Sequence, residues 1–174
     1  DTTGNAPAGW TLATAGGTVT VQEVPSASDK SMMINKTAAA NLVRAAKVLP
    51  TAVSGLKTVE FKARVGDTVY NKNAPYILSS SSAAAVSIQF NSNGYIKAYN
   101  GSTFQNVQTY AADTWYDFKI VLNTDTDKFD LYINGSPALT QADFRNAADD
   151  ISQVRFYLDS NQLGNMYIDN FKIY

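Results

Sequence analysis

Glu23 and Glu60 are the glutamates of this chain, and neither has a second carboxylate two or four residues away along its strand. Cleaving a glycosidic bond with retention takes two carboxyl groups roughly 5–5.5 Å apart, which a strand supplies as Glu-x-Asp or Glu-x-x-x-Glu on one face. The pattern is missing, so a retaining hydrolase is disfavoured. The sequence also holds no Cys and no His, which removes the thiolate nucleophile, the thiolate metal site and the commonest general base together. What survives of enzyme chemistry is proton abstraction beside a uronate carboxylate by Tyr and Lys, with Arg or Asn neutralising the acid. Gln89, Asn91, Tyr95, Lys97, Tyr99 and Arg64 could imitate that arrangement, and a small lyase is therefore the enzymatic alternative.

Binding asks for less. A sugar ring offers an apolar face that stacks on aromatic rings and a rim of hydroxyls that takes hydrogen bonds from amides and charged groups. Strand parity places Arg64, Gln89, Asn91, Tyr95, Lys97, Tyr99, Arg155 and Tyr157 opposite the core-facing residues, and these are the expected ligand-binding set. The competing reading is structural, because cross-strand aromatic pairs stabilise sheets and a long Lys can simply cover apolar surface. Lys62, Arg64, Lys97, Lys119 and Arg155 share the non-core parity against Glu60 and Asp117. That positive balance would suit an acidic polysaccharide such as pectin, alginate, glucuronan or xanthan. Parity does not say which sheet a strand joins, so Lys119 and Trp115 could lie on the other side.

These side chains need strands to hold them, and period-two alternation runs through nearly the whole chain. Strands are expected at Thr18–Val24, Ser31–Asn35, Val59–Val65, Val86–Asn91, Tyr95–Tyr99, Trp115–Asn123, Lys128–Asn134, Gln153–Leu158 and Met166–Tyr174. Ala38–Val48 is rich in alanine and could be a helix, but Val43 and Val48 among polar neighbours favour a strand. Ser92-Asn93-Gly94, Asn100-Gly101 and Thr124-Asp125-Thr126-Asp127 read as turns between antiparallel neighbours. The core set is Val59, Phe61, Ala63, Val65, Val86, Ile88, Phe90, Ile96, Ala98, Tyr116, Phe118, Ile120, Leu122, Phe129, Leu131, Ile133, Val154, Phe156 and Leu158. Asp67–Ala74, with Tyr70, Asn71, Lys72 and Asn73, and Ser102–Gln108, with Phe104, Gln105 and Asn106, read as polar loops that offer a second candidate site at the loop edge or are ordinary solvated connections, and Ser79–Ser82 reads as a loop. Arg145, in Asp143-Phe144-Arg145-Asn146, has two readings, a ligand contact or a clamp on a loop.

A length of 174 residues suits one domain with a real core, 45% hydrophobic and 17% charged, with formal net charge −1. No clustered Lys or Arg supplies the electrostatic footprint nucleic acid requires, and no run of about 18 apolar residues would span a bilayer. Neither nucleic acid nor membrane is expected as a partner, and the domain is expected to be monomeric. No basic and then apolar segment opens the chain, and Asp1 is read as a processing or cloning boundary.

The run from Trp115 to Leu122, a short acidic turn, and then Phe129-Asp130-Leu131-Tyr132-Ile133-Asn134-Gly135 resemble the central hairpin of concanavalin A-like and laminin-G-like jelly rolls. The opening Asp1–Trp10 and closing Met166–Tyr174 look like the first and last strands of the jelly-roll modules attached to bacterial polysaccharide lyases and glycoside hydrolases. The resemblance implies an all-β antiparallel sandwich over residues 1–174, excised from a larger secreted, extracellular protein. It implies a non-catalytic carbohydrate-binding module that holds a covalently linked catalytic domain near a polysaccharide, which the positive face would make uronate-containing. It also implies a structural calcium held by Asp1 and Asp169, completed by carbonyls near Thr3 and Asn5. Asn170 stands where many relatives carry a second Asp, and the plain alternative is that Asp169 only hydrogen-bonds a loop. Next to such lyases the chain is short. The third reading, also consistent with laminin-G-like folds, is a structural or adhesion domain without a sugar ligand.

Overall fold

The computed structural model describes residues 1–39 and 41–174. They form fourteen strands and no helix. The front sheet carries, in spatial order, β1 (Thr11–Ala13), β4 (Val43–Val53), β13 (Ile151–Leu158), β6 (Lys72–Leu78), β7 (Ala84–Asn91), β8 (Tyr95–Asn100) and β9 (Thr103–Thr109). The back sheet runs β12 (Ser136–Asp143), β11 (Lys128–Ile133), β10 (Tyr116–Asn123), β5 (Leu56–Val65), β14 (Gly164–Ile173), β3 (Asp29–Lys36) and β2 (Gly17–Ser26). Every pairing is antiparallel. The expected all-β sandwich is the observed one.

Alternation builds the core. Each residue of the expected core set is buried, because one face of each sheet must leave water and period two puts every second side chain there. The two sheets meet through aromatic rings. Phe61 of the back sheet stacks on Phe118 at 4.8 Å and meets Phe156 of the front sheet edge-on at 5.1 Å. Phe90 reaches Phe118 across the same interior at 5.7 Å. Burying each of these rings contributes roughly 2–3 kcal/mol.

Four strands escape alternation. Of these, β6 is buried along nearly its whole length and holds Lys72, Asn73 and Pro75, so it reads as a loop. Correspondingly, Asp67–Ala74 is loop only as far as Asn71, and Ser102–Gln108 is mostly β9. Short β1 and irregular β12, whose pairing with β11 slips twice, also carry weak patterns. The alanine-rich segment is a strand from Val43 onward; Ala40, within the expected range, lies outside the described residues.

Two buried lysines fasten loops at one end of the sandwich. Lys36 Nζ donates to the carbonyls of Ala38 at 2.6 Å and Ser160 at 2.8 Å. Lys72 Nζ donates to Asp67 Oδ1 at 2.6 Å and the Tyr70 carbonyl at 2.9 Å. Burial pulls the Lys72 ammonium below its ordinary value, against the raising effect of Asp67. The β13–β14 loop fastened by Lys36 contributes Asp159 and Gln162 to the front face.

Candidate functional site

Register lines up one row of polar side chains across six strands of the front sheet. Arg44 of β4 faces Tyr157 of β13, Tyr157 faces Asn73 of β6, Asn73 faces Gln89 of β7, Gln89 faces Lys97 of β8, and Lys97 faces Asn106 of β9. Strands about 4.8 Å apart make this row about 24 Å long. Beside it runs a second row. Arg155 lies between Ala46 and Tyr76, Tyr76 faces Ser87, and Tyr99 faces Phe104. Tyr95 stands at the end of the face opposite Asn91 and is exposed.

Seven of the eight expected ligand-binding residues are thus brought together: Gln89, Asn91, Tyr95, Lys97, Tyr99, Arg155 and Tyr157. Arg64 is the correction. It lies on β5 in the back sheet, where it pairs with Asp113 and covers the Tyr167 ring at 5.0 Å. Lys62 and Lys119 share that sheet, so the expected cationic face divides in two. Parity distinguishes inside from outside in one strand, and only sheet order distinguishes one outside from the other.

The amides form the floor. Asn91 Nδ2 donates to Gln89 Oε1 at 2.9 Å, Gln89 Nε2 to Asn73 Oδ1 at 3.1 Å, and Asn73 Nδ2 to Gln162 Oε1 at 3.1 Å. Asn73 and Gln89 are themselves buried. A wired chain of this kind fixes every amide orientation and leaves a stiff polar surface.

Arg145 reaches over that floor from the segment after β12. Its Nη1 donates to the Tyr76 hydroxyl at 2.9 Å and to Ser87 Oγ at 3.5 Å. Its guanidinium lies 4.7 Å from the Tyr99 ring centre. Tyr99 also donates its hydroxyl to the Ser102 carbonyl at 2.8 Å, so one of its ring faces is occupied and its polar end is used. Arg145 therefore clamps the face, as the structural reading of this residue expected.

Charge separates the two faces. Among the described residues the ion pairs are Lys62–Asp117, Arg64–Asp113, Lys72–Asp67 and Lys128–Asp143. Arg44, Lys97, Arg145 and Arg155 of the front face take part in none of these. A depression of about 250 Å³ opens at one end of the face, lined by Leu42, Arg44, Tyr76, Arg155, Tyr157 and Asp159. Within it, burial and then the nearby Tyr76 phenol push the Tyr157 hydroxyl well above the usual phenol value. Burial and the neighbouring Arg44 guanidinium press the Arg155 value down. Arg44, Tyr76, Asp159 and Gln162 were absent from the expected site, and Asn73 was expected in a loop-edge site and lies instead on β6 in the floor of this face. Arg44 carried a readable signal, since it alternates with buried Val43 and Ala45; Tyr76 carried none, because β6 shows no alternation.

At another edge, Asp1 and Asp169 line a common cavity of about 350 Å³ with Trp10, Lys30, Ser31 and Lys47. Ser31 Oγ is buried there without a hydrogen-bond partner among the described residues. Asp169 accepts the Asn170 N–H at 2.7 Å. Burial, reinforced by Asp29, raises its carboxyl value against that bond and Lys62. Two carboxylates and an unpartnered hydroxyl are the oxygen donors calcium takes, so the residues fit such an ion in part. Gly4 and Asn5 instead pair with Val21, the Asn5 carbonyl accepting its N–H at 2.8 Å. Among the described residues no group of three or more acidic side chains gathers, and carbonyl oxygens would have to complete the shell.

A family model described as "Sialidase-like, CBM domain" matches residues 23–162. Among solved structures, a sialidase superposes with TM-score 0.80 at 16% identity, over 95% of this chain and 17% of the sialidase chain. The cellulose-induced protein Cip1 gives 0.71 at 14% identity, over 95% of this chain and 90% of its own. Alginate lyase AlgAT5 of polysaccharide lyase family 7 gives 0.56 at 15% identity, over 76% and 68% respectively. At such identities the likeness is one of fold. No curated protein matches the chain.

Proposed function

Given that the chain belongs to the sialidase-like carbohydrate-binding-module (CBM) domain family, we propose that its front sheet binds an acidic polysaccharide without acting on it. The observation that carries this reading is the separation of charge. Lys62 and Arg64 on the back sheet are matched by carboxylates, and Lys119 lies opposite Glu60 in the register. Arg44, Lys97, Arg145 and Arg155 on the front face have no ion pair among the described residues, and the three on strands, Arg44, Lys97 and Arg155, face no carboxylate across the register. An unpaired cationic strip over a stiff amide floor suits a ligand that brings its own negative charge. Tyr95 and Tyr157 supply rings against which sugar C–H faces can rest.

A lyase on this face would need a phenol that ionises readily in place of the missing histidine. The raised value of Tyr157 opposes that role for this residue, the Tyr99 hydroxyl is already donated to the Ser102 carbonyl, and Arg64, expected to neutralise the acid, lies on the back sheet. The sialidase it resembles is far longer than this chain, which spans 17% of it. That proportion supports an accessory module joined to a catalytic domain, where it raises the local concentration of substrate; action outside the cell, as a monomer, is part of the same proposal. Calcium at Asp1 and Asp169 belongs to the same proposal, as a structural ion tying the N-terminal segment to β14.

Affinity electrophoresis tests the binding reading. The protein should be retarded in gels containing pectate or alginate and run freely in gels with a neutral glucan. Lys97→Gln should weaken the retardation several-fold, and Arg64→Gln on the back sheet should leave it unchanged. Equal mobility in all gels would overturn the function, and loss of retardation by Arg64→Gln alone would move the site to the back sheet.

A further inference from the structure

We propose that Arg44 and Arg155 together seat the carboxylate of a single sugar residue in the depression they share with Tyr76 and Tyr157. The inference rests on the carbohydrate-binding reading above and adds the chemical group that is recognised and the residues that hold it.

Arg44 and Arg155 project from adjacent strands of the front sheet, one beside Tyr157 and the other beside Tyr76. Ala46, opposite Arg155, is fully buried, so the floor there is a methyl group that leaves the guanidinium room above it. Arg44 Nε is a buried N–H with no acceptor among the described residues. Buried donors in that state are expensive, and each needs a physical reason. Arg155 spends its Nε on Gln153 and has no ion pair among the described residues.

The one acid at the rim, Asp159, is exposed and accepts the Ser160 N–H at 2.8 Å. Two partly buried cations side by side repel each other, and this repulsion adds to burial, the larger cause, in pressing the Arg155 value down. An anion placed between them relieves the repulsion and can accept from the outer N–H groups of the two guanidiniums. Guanidinium forks match the planar geometry of a carboxylate, which two arginines can hold through both oxygens. Tyr76 and Tyr157, edge to face at 5.1 Å, wall the depression with ring surface for the attached sugar. Arg145 takes no part, since Tyr76, Ser87 and Tyr99 already engage it. A sugar carboxylate can come from a uronate within a polymer or from a terminal sialyl group, and the experiment must distinguish them.

Isothermal titration is run on the full chain with oligogalacturonate, oligomannuronate, their carboxyl-reduced neutral counterparts, a neutral glucan oligomer and sialyllactose. One acidic class should bind at least about tenfold more tightly than its neutral counterpart. Arg44→Gln and Arg155→Gln should each abolish that preference. Arg44→Lys and Arg155→Lys, which keep charge but lose the fork, should fall between. Lys119→Gln on the back sheet should bind as wild type does, and thermal melts should show that each variant is folded; if a glutamine variant does not fold, the lysine variants decide.

Oligouronate binding assigns the seat to an internal acid, and sialyllactose binding assigns it to a terminal one. Equal binding of acidic and reduced ligands, or folded arginine variants that retain the preference, overturns the seat while leaving carbohydrate binding intact. Failure to bind any of these sugars overturns both readings.

Discussion

Tyr157 and Tyr110 are phenols that the fold keeps protonated. Burial pushes Tyr110 up to about 12, with Asp67 adding to it, and raises Tyr157 in the same direction. In the unfolded chain both titrate near 10. A folded value above the unfolded one means the native state holds the proton longer, so this contribution to stability is complete below about pH 10 and is lost as pH rises from about 10 through 12. Lys72 works the other way. Its lowered value makes the folded ammonium costly, and that cost is relieved as pH rises toward 10.5. The expected outcome is alkaline unfolding above about pH 10, in which phenolate absorbance from two of the ten tyrosines appears only with loss of the fold. Tyr174 should ionise late without unfolding, because its exposed hydroxyl donates to Glu60. Smooth titration of Tyr110 and Tyr157 in the folded protein would contradict these assignments. At this scale the sequence exposed residue types and inward or outward parity, which is why Lys97, Arg155 and Tyr157 could be picked out. It hid consumption. Nothing in one strand reveals that Gln89 is wired to Asn73 of β6, or that Tyr99 is covered by Arg145.

Strand spacing makes its own demands. Gly17 opens β2 opposite Lys36, and a Cβ there would meet the Asn35 carbonyl oxygen at 2.1 Å and Lys36 Cα at 2.9 Å. Both are backbone atoms, so neither can turn aside. Gly17→Ala should force β2 from β3, disturb the buried Lys36, and cost about 3 kcal/mol, read as a fall in melting temperature of roughly 6–12 °C. Gly94→Ala offers the contrast, since its Cβ would enter open space and meet only the strain of φ +82°. About 1–2 kcal/mol is expected there. Equal losses at the two positions would show that the close approach of β2 and β3 does not matter. Elements with one wet face, such as β5 and β10, were legible because they alternate. Buried β6 was not, because both its faces are covered and Lys72 and Asn73 occupy interior positions that only tertiary partners make tolerable.

Calcium is a question for the molecule as a whole, because Asp1 and Asp169 come from the two ends of the chain. An ion bound only by the native state raises the melting temperature with its concentration. Millimolar calcium should therefore raise it by several degrees, a chelator should return it, and Asp169→Asn should remove the response; an unchanged melt in calcium argues for the plain hydrogen-bonding role of Asp169. Composition and period two were sufficient to establish the sandwich, its core residues and the side of each strand that faces water. They are local properties, repeated along the chain, and survive without knowledge of what lies next to what. Sheet membership is different. Which strands share a sheet depends on pairings between residues far apart in sequence, and only those pairings moved Arg64 to the back, brought Arg44 and Tyr76 to Arg155, and left the front cations unmatched.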